Sequence, residues 1–229
     1  MAQDKKQSRE ELLEEPDAVT LYLQQFAEFI RRYQKQLIVA GVVFVILVLA
    51  ASGGVYYVNQ AEDDASTMLG RAMDRYEAVQ NQNGGPGAYE ALKKEFKTVM
   101  DQYGFTDAGK MARVQYASVC YENGEYEKAV EAYKTALDEF GGNPQFDDMI
   151  INGLAYAYQA TGDYDNAVKY FEKVAEDESA VTRDQALFNL GQLYGRLGKS
   201  GQSRKAYEKI VSEFPDSIYV EPAKMELSG

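Results

Sequence analysis

The chain has 229 residues, 45% of them hydrophobic and 26% charged, a balance that suits a packed protein and excludes wholesale disorder. It contains no histidine, which excludes imidazole general bases, histidine-based triads and histidine-containing zinc sites. The formal charge is −12, of which residues 1–36 carry −1 through six Lys/Arg and seven Asp/Glu, and so acidic a remainder makes nucleic acid an unfit partner.

Residues 1–36 form a charged leader. Past EELLEEP, Asp17 is placed to cap a helix on which Val19, Tyr22, Leu23, Phe26, Phe29, Ile30 and Tyr33 recur at helical spacing. Such an amphipathic face either lies in a membrane interface or docks on a partner.

Residues 37–58 read LIVAGVVFVILVLAASGGVYYV, without a charge. At a rise of ~1.5 Å per residue the run covers roughly 33 Å, enough to cross a bilayer. Ala50, Ala51 and Ser52 are small enough for a signal-peptide cleavage site, but the leader is long and acidic and the apolar run continues past them to Val58. A retained transmembrane helix fits better. Tyr33 at one end and Tyr56 and Tyr57 at the other match headgroup-level aromatic belts. Arg31, Arg32 and Lys35 precede the span, and Glu62, Asp63 and Asp64 follow it. The positive-inside bias then puts the N-terminus in the cytoplasm. In a Gram-negative bacterium this means a single-pass inner-membrane protein with a periplasmic C-terminal part.

Residues 59–107 are expected to form a degenerate helical hairpin, with helices from about Ala61 to Val79 and Ala88 to Met100 around the breaker-rich QNQNGGPG. Residues 108–229 contain three self-similar segments: YASVCYENGEYEKAVEAYKTAL, LAYAYQATGDYDNAVKYFEKVA and LGQLYGRLGKSGQSRKAYEKIV. Gly124, Gly162 and Gly198 mark the turns between a helix A and a helix B in each. Small residues Ala117, Ala155 and Gly191 on helix A, and Ala129, Ala167 and Ser203 on helix B, permit close helix contact. Tyr133, Phe171 and Tyr207 fill one equivalent position, and Tyr126 and Tyr164 another. Ser200 replaces that turn tyrosine in the third segment, so a looser turn is expected there. Pro215 stops the last helix B, and EPAKMELSG begins a further helix A that caps the stack with Ala223 and Leu227.

These small-residue, turn-Gly-x-Tyr, aromatic and terminal-Pro positions resemble the tetratricopeptide repeat, which implies an all-α fold with an α-solenoid behind the transmembrane helix. By that resemblance the concave groove binds proteins. Its helix A side chains map to Met111, Val114, Ser118, Tyr121 and Glu122, then Met149, Asn152, Tyr156 and Gln159, then Gln185, Phe188, Gln192 and Arg196. Exposed aromatic and methionine side chains there suit gripping an extended peptide or a helix.

The order of acidic leader, EPDAV-led helix, YQKQLIVAG, AEDDAS and repeats is similar to the single-span ancillary subunit family of the bacterial Sec translocon. The repeats alone resemble the C-terminal domain of the cell-division coordinator associated with the Tol-Pal system. The first resemblance implies translocon subunits, exported clients or periplasmic chaperones as partners. The alternative is a structural assembly or oligomerisation module of a larger envelope machine.

Other motifs read as structure. The pairs Asp63/Asp64 and Asp147/Asp148 lack the oxygen-rich spacing of a calcium loop, and GQLYGRLGKSG lacks the spacer of a phosphate loop. Cys120, the single cysteine, allows no intramolecular disulfide and falls in an apolar helical pattern. The chain therefore reads as a non-enzyme with no cofactor, no metal and no small-molecule substrate.

Overall fold

A computed structural model describes residues 18–81, 85–140, 142 and 144–228. Its helices are α1 (Ala18–Asn81), α2 (Pro86–Tyr103), α3 (Asp107–Glu122), α4 (Tyr126–Phe140), α5 (Pro144–Thr161), α6 (Tyr164–Glu176), α7 (Arg183–Arg196), α8 (Ser200–Glu213) and α9 (Val220–Ser228). Among the described residues there is no strand. The chain divides into two compact units, residues 1–57 and 58–229.

In the first unit α1 is uninterrupted, and every side chain from Leu21 to Tyr57 is exposed. It is long and apolar enough to cross a membrane. The cap expected at Asp17 lies outside the described residues. One expectation is corrected here: residues 61–79 are not a separate helix but the continuation of α1 to Asn81. No proline lies between Pro16 and Pro86, and the Gly53–Gly54 pair costs a helix only about 1 kcal/mol per residue. Nothing in the sequence is strong enough to end the helix earlier.

In the second unit the C-terminal part of α1 forms a hairpin with α2. Ala65 and Ala72 meet Leu92, Phe96 and Val99, and the same core takes in Ala108, Ala112 and Val119 of α3. Polar contacts fasten this hairpin to the first repeat. The Glu62 carboxylate accepts from the backbone N–H groups of Asp107 (2.8 Å) and Ala108 (3.1 Å), the free donors that open α3. Thr106 caps the same helix through Gly109 N at 3.0 Å. Lys93 of α2, 7% exposed, is paired with Glu90 and with Glu125 in the α3–α4 turn.

The three helix pairs α3/α4, α5/α6 and α7/α8 follow with the expected register. Ala117, Ala129, Ala155 and Ala167 are fully buried at the helix contacts. Gly124, Gly162 and Gly198 have φ of 79°, 82° and 71°, the left-handed conformation glycine adopts without a Cβ penalty. The third turn is not looser than the others. Lys199 N donates to Tyr194 O at 2.8 Å, matching Glu125 N to Cys120 O at 2.8 Å and Asp163 N to Tyr158 O at 3.0 Å. The backbone closes the turn whether or not a tyrosine follows it, and Ser203 adds a bond from its hydroxyl to Gly191 O at 2.7 Å. Beyond Pro215, α9 buries Val220 and Ala223 against the last repeat, with Leu227 packed partly under it.

Candidate functional site

The helix A faces of α3, α5 and α7 carry the thirteen residues expected to line the groove, and the structure sorts them by accessibility. Val114 leaves the set: it is 1% exposed and packs inside the core of the first repeat with Ala117 and Ile150. Met111, Ser118, Tyr121, Asn152, Tyr156, Gln159, Gln185 and Phe188 are half-buried, whereas Glu122, Met149, Gln192 and Arg196 are exposed.

Many of these side chains already hold repeat to repeat. Asn189 donates to the Tyr156 hydroxyl at 2.8 Å, and the Tyr156 ring meets Phe171 edge-on at 5.0 Å. Asn152 donates to Thr182 at 2.8 Å. Phe188 stacks on Tyr219 at 5.0 Å and meets Tyr207 at 5.8 Å. Ser118 shares a hydrogen bond of 2.8 Å with the Tyr133 hydroxyl. The two charged members are engaged as well. Glu122 accepts from Tyr76 at 2.6 Å and from Gln80, both on α1, and Arg196 donates to the Tyr164 hydroxyl at 3.3 Å.

Burial lifts the tyrosines Tyr121 and Tyr156 above their ordinary value, and burial together with the Glu122 carboxylate lifts Tyr76. All three stay neutral across physiological pH. What these residues of α3, α5 and α7 offer is therefore aromatic faces, thioethers and amides, with charge among the thirteen confined to Glu122 of α3 and Arg196 of α7. The amide oxygens Asn152 Oδ1 and Gln159 Oε1 are buried without a hydrogen-bond donor. Among the described residues no cluster of three or more His, Cys, Asp or Glu could hold a metal ion.

Sequence reasoning missed Tyr76, Gln80, Thr182, Asn189 and Tyr219, which complete these contacts. Tyr76 and Gln80 belong to a helix outside the repeats, and Thr182 and Tyr219 lie in linkers, where no periodicity reaches them. Asn189 had a signal: it follows Phe188 in the register and sits four residues after Gln185, whose carbonyl it also binds at 3.0 Å.

Comparison with known proteins places the geometry in a wider group. A family model described as a tetratricopeptide repeat-like domain matches residues 27–227. A TPR repeat-containing protein of Acanthamoeba polyphaga mimivirus is 36% identical over 76 residues, 32% of this chain and 21% of that protein. The photosystem I assembly protein Ycf3 of Prochlorococcus marinus is 28% identical over 97 residues, 42% of this chain and 54% of that one. The chain thus spans about a fifth and about half of these relatives. Among solved structures, a tetratricopeptide repeat protein from Parabacteroides merdae superposes with a TM-score of 0.58 at 15% identity, covering 71% of this chain and 59% of that one. The kinesin light chain repeats of Podosopora anserina superpose with a TM-score of 0.56 at 18% identity, covering 70% and 84%. These two show the shared fold.

Proposed function

Since this chain belongs to the tetratricopeptide repeat-like domain family, we propose that it is a membrane-anchored scaffold whose repeats bind exported polypeptides, or the chaperones that receive them, beside the Sec translocon. The repeats form a protein-interaction scaffold. The finer reading takes residues 37–58 as an inner-membrane span, with the leader cytoplasmic and the repeats periplasmic. Its support is the charge step from Arg31, Arg32 and Lys35 to Asp63 and Asp64, together with the resemblance of the leader, span and exit sequences to the translocon's ancillary subunits.

The observation that carries the binding reading is the face of α5 and α7. Exposed Met149 and Gln192 flank the half-buried Tyr156 and Phe188. The apolar side chains of an extended polypeptide suit these aromatic and thioether surfaces. A photoreactive residue placed at Met149 or Gln192 in the full-length protein, in its native membrane, should capture envelope polypeptides in transit. Correct membrane insertion with no envelope protein captured at either position refutes the reading. Protease added to spheroplasts checks the topology. Repeats that survive until the inner membrane is breached would reverse the orientation.

A further inference from the structure

The described part of the leader leaves an apolar stripe uncovered. Tyr22 is 74% exposed, Phe26 62%, Phe29 52% and Tyr33 36%. At helical spacing Glu28, Arg31 and Lys35 fall on the opposite side, and Arg32 lies at the flank. The stripe advances in alternating steps of three and four residues, the average period of 3.5 that lets helices wind about one another. Continued at that step it meets Gln36, and inside the apolar run it meets Val43 and Leu47 between the small residues Ala40, Ala50 and Gly54.

Such a stripe could lie down on a bilayer surface only if the helix bent ahead of the span. Between Ala18 and Ala40 there is neither proline nor glycine, and the helix is unbroken there. The usual causes of a sharp kink are missing. The stripe therefore calls for a protein surface, and specifically for another helix.

We propose that α1 pairs in parallel with the α1 of a second copy along this seam. The proposal rests on the reading of residues 37–58 as a membrane span, which holds the two copies parallel. Three features favour a second copy over an unrelated helix. Gln36 is self-complementary, because its amide both donates and accepts, so two copies bond reciprocally where an apolar partner would strand it. Glu28, Arg31 and Lys35 of both copies point away from the seam, and Arg32 flanks it beside the uncharged positions of Ile30 and Leu37, so like charges do not meet. The area suffices as well: four aromatic side chains, each with on the order of 100 Å² free, together with the seam inside the span, bring two copies to the ~1,000 Å² of a specific interface. Ala40, Ala50 and Gly54 allow the close backbone approach that helix pairing in lipid depends on. The outer faces of the pair stay open to lipid or to a translocon subunit.

The test uses full-length protein carrying Cys120→Ala, in its native membrane. Single substitutions Tyr22→Cys, Phe26→Cys and Phe29→Cys are oxidised mildly beside Gln24→Cys, Glu28→Cys and Arg31→Cys. Seam positions should give roughly tenfold more disulfide-linked dimer than the others, since only a and d positions of a parallel pair face their counterparts. Equal cross-linking at all six, none at the seam, or trapping of a different polypeptide in place of a second copy overturns the pairing. Alkaline carbonate extraction is run on the same membranes. Release of the protein into the soluble fraction refutes the span itself, and with it the pairing, in a way that a cross-linking failure of retained protein does not.

Discussion

Two glycine-to-alanine changes, identical in chemistry, should move stability in opposite directions. At Gly191 on α7 an added Cβ would stand 2.5 Å from Cε1 and Cζ of the Tyr207 ring. That ring is 4% exposed and packed against Phe188, so it has nowhere to swing. Alanine gains ~1 kcal/mol in intrinsic helix preference, but overpacking a buried contact costs ~1–3 kcal/mol, which leaves Gly191→Ala less stable by about 1 kcal/mol. At Gly70, in the part of α1 that belongs to the repeat domain, a Cβ would meet nothing within 4 Å. Gly70→Ala keeps the whole intrinsic gain and should stabilise by ~0.5–1 kcal/mol. With about 2–4 °C per kcal/mol for a domain of this size, the two melting temperatures should separate by several degrees around the parent. Far-UV circular dichroism melts of the detergent-solubilised protein measure this. Gly191→Ala melting at or above the parent refutes the packing argument, and adding Tyr207→Leu to it should recover part of the loss.

Lys93→Met removes both of the lysine's ion pairs and should cost about 2 kcal/mol in denaturant titrations, less than the ~3–5 kcal/mol of a fully buried pair broken on one side because Glu90 is exposed and Glu125 keeps Lys128. Lys128 and then Lys93 hold the Glu125 carboxyl at about 2, below its ordinary 4.5. Its folded pKa is depressed, so its stabilisation is complete above about pH 4.5 and fades as pH falls toward 2; Glu125→Gln should be less stable at neutral pH and lose less across that window in acid titrations. Tyr156→Phe removes one of the two acceptors of the Asn189 amide, Gln185 O being the other, and should cost about 1 kcal/mol in thermal melts. Glu62→Ala frees two backbone donors at the start of α3 and should cost about 1 kcal/mol, seen as faster amide exchange at Asp107 and Ala108.

The repeat register was legible because its signals are local. A left-handed turn demands Gly124, Gly162 and Gly198, and tight helix crossings demand Ala117, Ala129 and Ala167. The extent of α1 was not legible, since a helix stops where something stops it and residues 61–79 follow the span with no breaker between them. The exposure of the helix A faces was not legible. Val114 occupies the same register as Asn152 and Phe188, yet it is buried among Ala117, Ile150 and Leu154 of the first repeat's core. Phe188 acquires Tyr219 from the linker after α8. Register identifies which face a side chain is on; what covers that face comes from elements far away in sequence.

Apart from α3 with α5, Asn189 of α7 on Tyr156 of α5, and the contacts of α1 with α3, the helices of the repeat domain pack mainly against their neighbours in sequence. Loop closure between such neighbours costs little entropy, and no strand or helix has to wait for a distant partner. Each hairpin can therefore settle as soon as it has emerged, adding its apolar face to the one before it. The hairpin of α1 and α2 stands first in that series and offers Phe96 and Val99 to α3. A chain assembled in this order exposes at most one unfinished repeat at a time, and α9 covers the outer face of α8 as it follows.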